Sequence, residues 1–257
     1  MKTLSLIFSV IFFVHHSNAL TPSAERSPDE SWYHALMRQI PATESLQGRT
    51  ALSSARYFRD DVDLSILPVW KGSAQELISL VKQVRDERIY EHSGDKGFLR
   101  RSTWLYPNDG CFARAEHVAR GFARRGLVRP GKVLAFGNLR FATTYGPRAT
   151  VYWSYHVAAA FRIGGRAYVI DPVAQPGGIL PLKEWLHRIS GEPYNVRVAI
   201  CDTNAYSPST SCSGAGTVHQ GSFFSHQLSY LAPEWNRLVN SGFDPRKALG
   251  ENPPWPN

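Results

Sequence analysis

Two runs rich in Val, Ile, Tyr, Phe and Ala, residues 150–161 and 166–170, flank the tetrapeptide Ile163-Gly164-Gly165-Arg166. Paired glycines between β-prone runs mark a tight hairpin, because the favoured two-residue turns need positive φ, which glycine adopts without strain. Further β-prone runs at 132–136 and 194–200, bounded by Gly and Pro, predict a sheet around that hairpin. Counting outward from the turn puts position 156 near the level of 173. Asp171 therefore falls within a residue or two of His156 and can share its face.

Helical patterns precede the sheet. Ser73-Ala74-Gln75-Glu76 has capping-box spacing, and Leu77, Leu80, Val81 and Val84 recur at helical intervals, predicting a helix over 73–90. Residues 91–101 are charged and Gly-containing and read as a loop. Tyr106-Pro107-Asn108-Asp109-Gly110 is a dense turn signal, followed at once by a helical pattern over 111–125 that Gly126 closes. Phe112, Ala115, Ala119 and Phe122 form its buried face, while Arg120, Arg124 and Arg125 suit the negative end of the helix dipole. Residues 182–189 form another candidate helix. The apolar stretch 223–239 is interrupted by Pro233, and the tail 252–257, with three prolines, reads as extended. Helices followed by a sheet predict an α+β fold.

The first nineteen residues combine Lys2, an apolar run from Leu4 to Val14 and the small-residue end Ser17-Asn18-Ala19. This is the anatomy of a secretory signal cleaved near Ala19, and no later stretch is long and apolar enough to cross a membrane, so a secreted or periplasmic product without a stable membrane anchor is expected. Residues 20–70 read as an N-terminal extension or a pro-segment, ahead of a main domain at 71–257. The formal charge is +8, from 29 Lys and Arg against 21 Asp and Glu. The arginines are dispersed and no zinc-finger or RNA-binding signature occurs, which argues against nucleic acid as a partner. A basic surface suits acidic protein substrates or anionic envelopes.

An exported chain with three cysteines leaves one unpaired. Cys201 and Cys212 bracket a loop of Ser, Thr, Asn and Gly and are the candidate disulfide, which makes Cys111 the free thiol. A cysteine at a helix start has its thiolate favoured by the dipole and by unpaired amides. Among nine histidines, His15 and His16 leave with the signal, His34 lies in the extension and His92 on the charged loop; His117 lies on the same helix as Cys111 but faces away. His187, His219 and His226 fall on a surface-like helix or in polar loops. His156 remains, on a predicted strand, with Asp171 ending the next. Cys, His and Asp in this relation have the types needed for acyl transfer: a nucleophile, an imidazole that activates it and protonates the leaving group, and a carboxylate that orients the imidazole. Each alone has a plainer explanation: Cys111 as a small buried apolar residue, His156 as a hydrogen-bonded core residue, Asp171 as a strand-ending residue before Pro172. No cysteine or histidine pair has zinc-ligand spacing, and Gly214 to Gly216 lack the strand and helix of a phosphate loop, so neither metal nor cofactor is expected.

The stretch Tyr106-Pro107-Asn108-Asp109-Gly110-Cys111-Phe112-Ala113-Arg114-Ala115, with Trp153-Ser154-Tyr155-His156-Val157-Ala158 and Val169-Ile170-Asp171-Pro172, resembles the bacterial protein-glutaminase family over residues 99–172. The resemblance implies a papain- or transglutaminase-like core, with the nucleophile at a helix N-terminus packed on an antiparallel sheet and a triad of Cys111, His156 and Asp171. It also implies hydrolysis of glutamine side chains of protein or peptide substrates through a cysteine thioester, a catalytic domain at 71–257, and a pro-segment ending somewhere in 50–72. On that reading the Cys111 amide and Asn108 are candidate oxyanion donors, and Trp104, Tyr106, Trp153 and Tyr155 are candidate walls of the acyl slot. A transglutaminase, a cysteine peptidase and a non-enzymatic secreted binding domain are the rivals, and the oligomeric state stays open.

Overall fold

The computed structural model describes residue 34 and residues 50–91, 99–146, 148–213 and 227–250. The expected signal, residues 35–49 of the extension, the Gly214 to Gly216 stretch, His219, His226 and the proline-rich tail lie outside the described residues. In chain order the helices are α1 (Ala51–Ser54), α2 (Ala74–Arg85), α3 (Cys111–Arg124), α4 (Leu182–Ser190), α5 (Leu231–Asn240) and α6 (Pro245–Leu249). The strands are β1 (Arg56–Tyr57), β2 (Tyr90–Glu91), β3 (Leu99–Arg100), β4 (Gly131–Ala142), β5 (Thr150–Ile163), β6 (Arg166–Ile170), β7 (Leu180–Pro181) and β8 (Arg197–Cys201). Among the described residues, six strands form one antiparallel sheet in the order β1-β8-β4-β5-β6-β7, and β2 pairs with β3 apart from it. The fold is α+β, with the helix that starts at Cys111 packed on this antiparallel sheet.

The β5–β6 hairpin turns through Gly164 and Gly165, whose φ angles are 54° and 82°. Its register pairs Ile163 with Arg166, Phe161 with Tyr168 and Ala159 with Ile170, so the level of 156 is that of 173, as the count outward predicts. Behind it, Ala115, Val118 and Phe122 of α3 pack with Leu77, Val81 and Val84 of α2 and with Ala159 and Phe161 of β5. Each of the Leu, Val and Phe side chains in this set, taken from water, contributes roughly 1.5–3 kcal/mol. The apolar stripe of α3 is thus what seats its first turn against the strand that carries His156.

Several elements depart from expectation, each for a tertiary reason. Ser73 and Glu76 do form the reciprocal cap, but α2 stops at Arg85 rather than running to residue 90. Tyr90 is instead drawn into a strand pair, and its hydroxyl reaches His117 Nδ1 at 2.8 Å. The charged 91–101 segment is not wholly a loop: Leu99–Arg100 is a strand, and Arg101 is buried against Glu234. β4 continues past residue 136 through a bulge at Gly137, whose φ of 148° suits glycine, and ends at Ala142. β8 begins later than residue 194, because Pro193–Asn195 is a 3-10 turn. Pro233 does not interrupt a helix; it sits in the first turn of α5, where its missing N–H has no intrahelical partner to lose. Residues 50–70 join the main body, since β1 pairs with β8, Thr50 bridges to Ser211, and Phe58 and Leu67 are buried in the core.

Candidate active site

Gly110 is the N-cap of α3, in the left-handed region at φ 81°, and its N–H donates to Asp109 Oδ1 at 2.6 Å. A side chain here meets two obstacles: the backbone conformation itself, and Gln227, whose Oε1 and Cδ lie 2.1 and 2.8 Å from where a Cβ stands. Glycine therefore lets the chain turn sharply into the helix. Cys111 is the first residue of the 14-residue α3 and the free cysteine, while Cys201 and Cys212 are joined in a disulfide across a separation of 11 residues.

His156 projects from β5 toward this helix start. Its Nε2 lies 2.8 Å from Asp171 Oδ2, so that nitrogen donates to the carboxylate, and Nδ1, buried and without a hydrogen-bond partner among the described residues, is the nitrogen left for Cys111. Asp171 follows the last residue of β6. Its Oδ1 accepts from Val173 N–H at 3.2 Å and its Oδ2 accepts a second bond from Trp185 Nε1 at 2.8 Å. Aromatic rings enclose the imidazole: Trp153 stacks at 4.2 Å between centroids with planes 8° apart, and Trp185 lies at 5.9 Å and 30°. The Trp153 ring is itself fixed, by a 3.0 Å bond from its Nε1 to Pro107 O and by stacking on Phe141. These contacts leave the histidine one orientation.

Electrostatics follow from the burial. Cys111, His156 and Asp171 are 3, 1 and 3% exposed. Burial alone pulls the imidazole down, but the Asp171 charge and hydrogen bond, joined by Cys111, override it and raise His156 to about 9. Burial pushes Asp171 upward, and the His156 charge and hydrogen bond, the Trp185 bond and the Arg114 charge together bring its carboxyl below the ordinary range. At neutral pH the pair is imidazolium and carboxylate. Tyr155, also buried, is held well above the ordinary phenol value, first by burial and then by the charges of Cys111 and Asp109, so it stays protonated beside the thiol.

The structure brings Cys111, His156, Asp171, Trp153 and Tyr155 together. Tyr106 and Asn108 lie on the loop that leads into α3, but both are engaged: Asn108 Oδ1 accepts from Arg237 at 2.9 Å, and the Tyr106 ring stacks on Tyr230 at 4.6 Å. Trp104 is not at the site. It is buried in the cluster between α2 and α3 and meets His117 edge-on, because the backbone amides of Trp104 and Leu105 are pinned to Glu234 on the far side of the loop. His117 does face away from the site. It accepts from Tyr90 at Nδ1 and donates from Nε2 to Val84 O at 2.8 Å, and burial lowers its pKa to about 4. Trp185 and Arg114 escape sequence reasoning; an apolar-face tryptophan on the 182–189 helix was the one available signal for the former.

The sequence model of a family described as glutaminase matches residues 77–189. No curated protein matches the chain. The crystal structure of pro-protein-glutaminase is 22% identical, covering 64% of this chain and 60% of that one at a TM-score of 0.43. The NMR structure of protein-glutaminase from Chryseobacterium proteolyticum is 26% identical, covering 60% of this chain and 84% of that one, also at 0.43. A crystal structure of a mutant pro-protein-glutaminase is 25% identical, covering 58% and 55% at 0.43, so the chain spans between half and two thirds of the two pro-enzyme structures. The matched residues 77–189 contain Cys111, His156 and Asp171, so this segment of the chain is similar to the glutaminase family.

Proposed function

We propose that the chain is a secreted protein-glutamine deamidase that converts glutamine side chains of proteins or peptides to glutamate and ammonia. The observation that carries this reading is the buried relay in which a helix-start thiol meets an imidazole whose other nitrogen is 2.8 Å from a carboxylate, inside the segment matched to glutaminases. Cys111 attacks the carboxamide carbon as thiolate. The oxyanion so formed is stabilised by the Cys111 amide at the start of α3, a type of donor worth about 3 kcal/mol. His156, held protonated by Asp171, gives its proton to the departing ammonia as the oxyanion collapses to a thioester. It then takes a proton from water, which attacks the thioester and releases glutamate and the thiol. The disulfide supports an oxidising destination for the protein.

Incubation of a glutamine-bearing protein with the enzyme, read by mass spectrometry, tests this. The expected result is the mass gain of amide-to-acid conversion with stoichiometric ammonia, abolished by Cys111→Ala. Lysine crosslinks indicate transamidation, new N-termini indicate peptidase action, and an unmodified substrate with an unreactive thiol indicates a non-enzymatic domain.

A further inference from the structure

The loop that delivers Cys111 is gripped from α5, which lies outside the segment matched to glutaminases. Glu234 Oε1 accepts the backbone N–H of Trp104 at 2.7 Å and of Leu105 at 2.5 Å, and Oε2 lies 2.9 Å from Arg101 Nη1. Both side chains of that ion pair are 2% exposed. Desolvating two charges is costly, and here the cost is incurred to hold two consecutive amides of a loop. Nearly one turn further along α5, Arg237 donates from Nη1 to Asn108 Oδ1 at 2.9 Å and from Nη2 to the Tyr106 hydroxyl at 3.3 Å. Its guanidinium carbon stands 4.4 Å from the centre of the Tyr106 ring. Residues 104, 105, 106 and 108 are therefore all tied to one helix. The chain then turns through Asp109 and Gly110, and Cys111 begins α3.

The planar fork of arginine fixes direction as well as distance, so a helix anchored by Glu234 and reaching Asn108 through Arg237 sets where the loop ends. A nucleophile misplaced by about 1 Å can lose roughly 100-fold in rate. We propose that Arg237 is a positioning residue for Cys111, so that the working unit of the active site extends to α5. The proposal rests on Cys111 being the nucleophile described above.

Two readouts on the full chain test it: ammonia release from a blocked glutamine-containing dipeptide, and alkylation of Cys111 by iodoacetamide followed by intact mass. Arg237→Met keeps the aliphatic stem over Tyr106 and removes both hydrogen bonds. It is expected to lower kcat by about 10- to 100-fold, leave KM within about twofold and slow alkylation at neutral pH by about tenfold, with a melting temperature close to wild type. Arg237→Lys, which restores one donor, is expected to recover part of both losses. Arg237→Met at wild-type kcat and alkylation overturns the proposal. So does a loss that tracks a fall in melting temperature and that lysine does not repair, which is the signature of a merely structural role. A wild type that alkylates but releases no ammonia overturns the deamidase reading and leaves the alkylation comparison to decide this one. A folded wild type inert to iodoacetamide overturns both.

Discussion

At the scale of single residues, the charge and hydrogen bond of Asp171 are what offset burial and keep the His156 pKa raised. Asp171→Asn keeps the shape and removes the charge, so His156 loses the interaction that offsets its burial. Ammonia release is expected to fall by about 100- to 10,000-fold, measured as kcat on a glutamine peptide. The same proton links the site to stability. His156 is raised from 6.5 to about 9 in the folded protein, so the folded state binds the proton more tightly than the unfolded chain. That stabilisation is complete below pH 6.5 and is lost as pH rises through about 9, so denaturation midpoints should decline across this window in wild type and not in His156→Gln. The His156–Asp171 relation was legible before the structure, because a Gly-Gly turn sets the register of a hairpin and the two residues lie only 15 apart. Trp185 was not legible as a partner of Asp171, since nothing in helical periodicity tells a buried indole which carboxylate its N–H will find.

At the scale of elements, local chemistry and long-range contact divide the credit. The start of α2 is written in four residues, Ser73 to Glu76, and its reciprocal cap forms as those side chains require. Ser73→Ala is expected to cost about 1 kcal/mol in chemical denaturation while leaving turnover unchanged, because the cap is exposed and its hydrogen bonds to Glu76 involve no residue of the candidate site. The end of α2 was not legible, because Tyr90 leaves the helix for partners on β3 and α3 that no local pattern announces. The start of α3 is a stricter case. Gly110→Ala places a Cβ in the left-handed region and against Gln227, and is expected to destabilise by about 1–3 kcal/mol and to lower activity with it. Glu234 and Arg237 were invisible for the same reason as Tyr90: their contacts to the Cys111 loop span about 130 residues of chain.

At the scale of the whole molecule, the polar composition of residues 20–70 sets them apart from the main domain, whereas the structure binds residues 50–70 into the sheet and core. Arg56 and Tyr57 extend the edge beyond β8, Leu67 is buried, and Trp70 packs on Phe122 and Phe161. A chain begun at Thr50 is therefore expected to unfold as one cooperative transition, and a chain begun at Lys71 to lose it, as read by circular dichroism on heating. Composition pointed to a polar extension because residues 50–65 carry many charges; their scattered apolar members, Ala51, Ala55 and Phe58, are the ones the core takes up.

The Trp153 ring lies flat on His156 at 4.2 Å, and that closeness has an optical consequence. An imidazolium in van der Waals contact with an indole accepts its excited electron, whereas a neutral imidazole does so poorly. Trp153 should thus be dark while His156 holds its proton and should brighten as the proton leaves near pH 9. The difference in emission between wild type and Trp153→Phe then reports the charge of the buried relay directly, without substrate and without turnover.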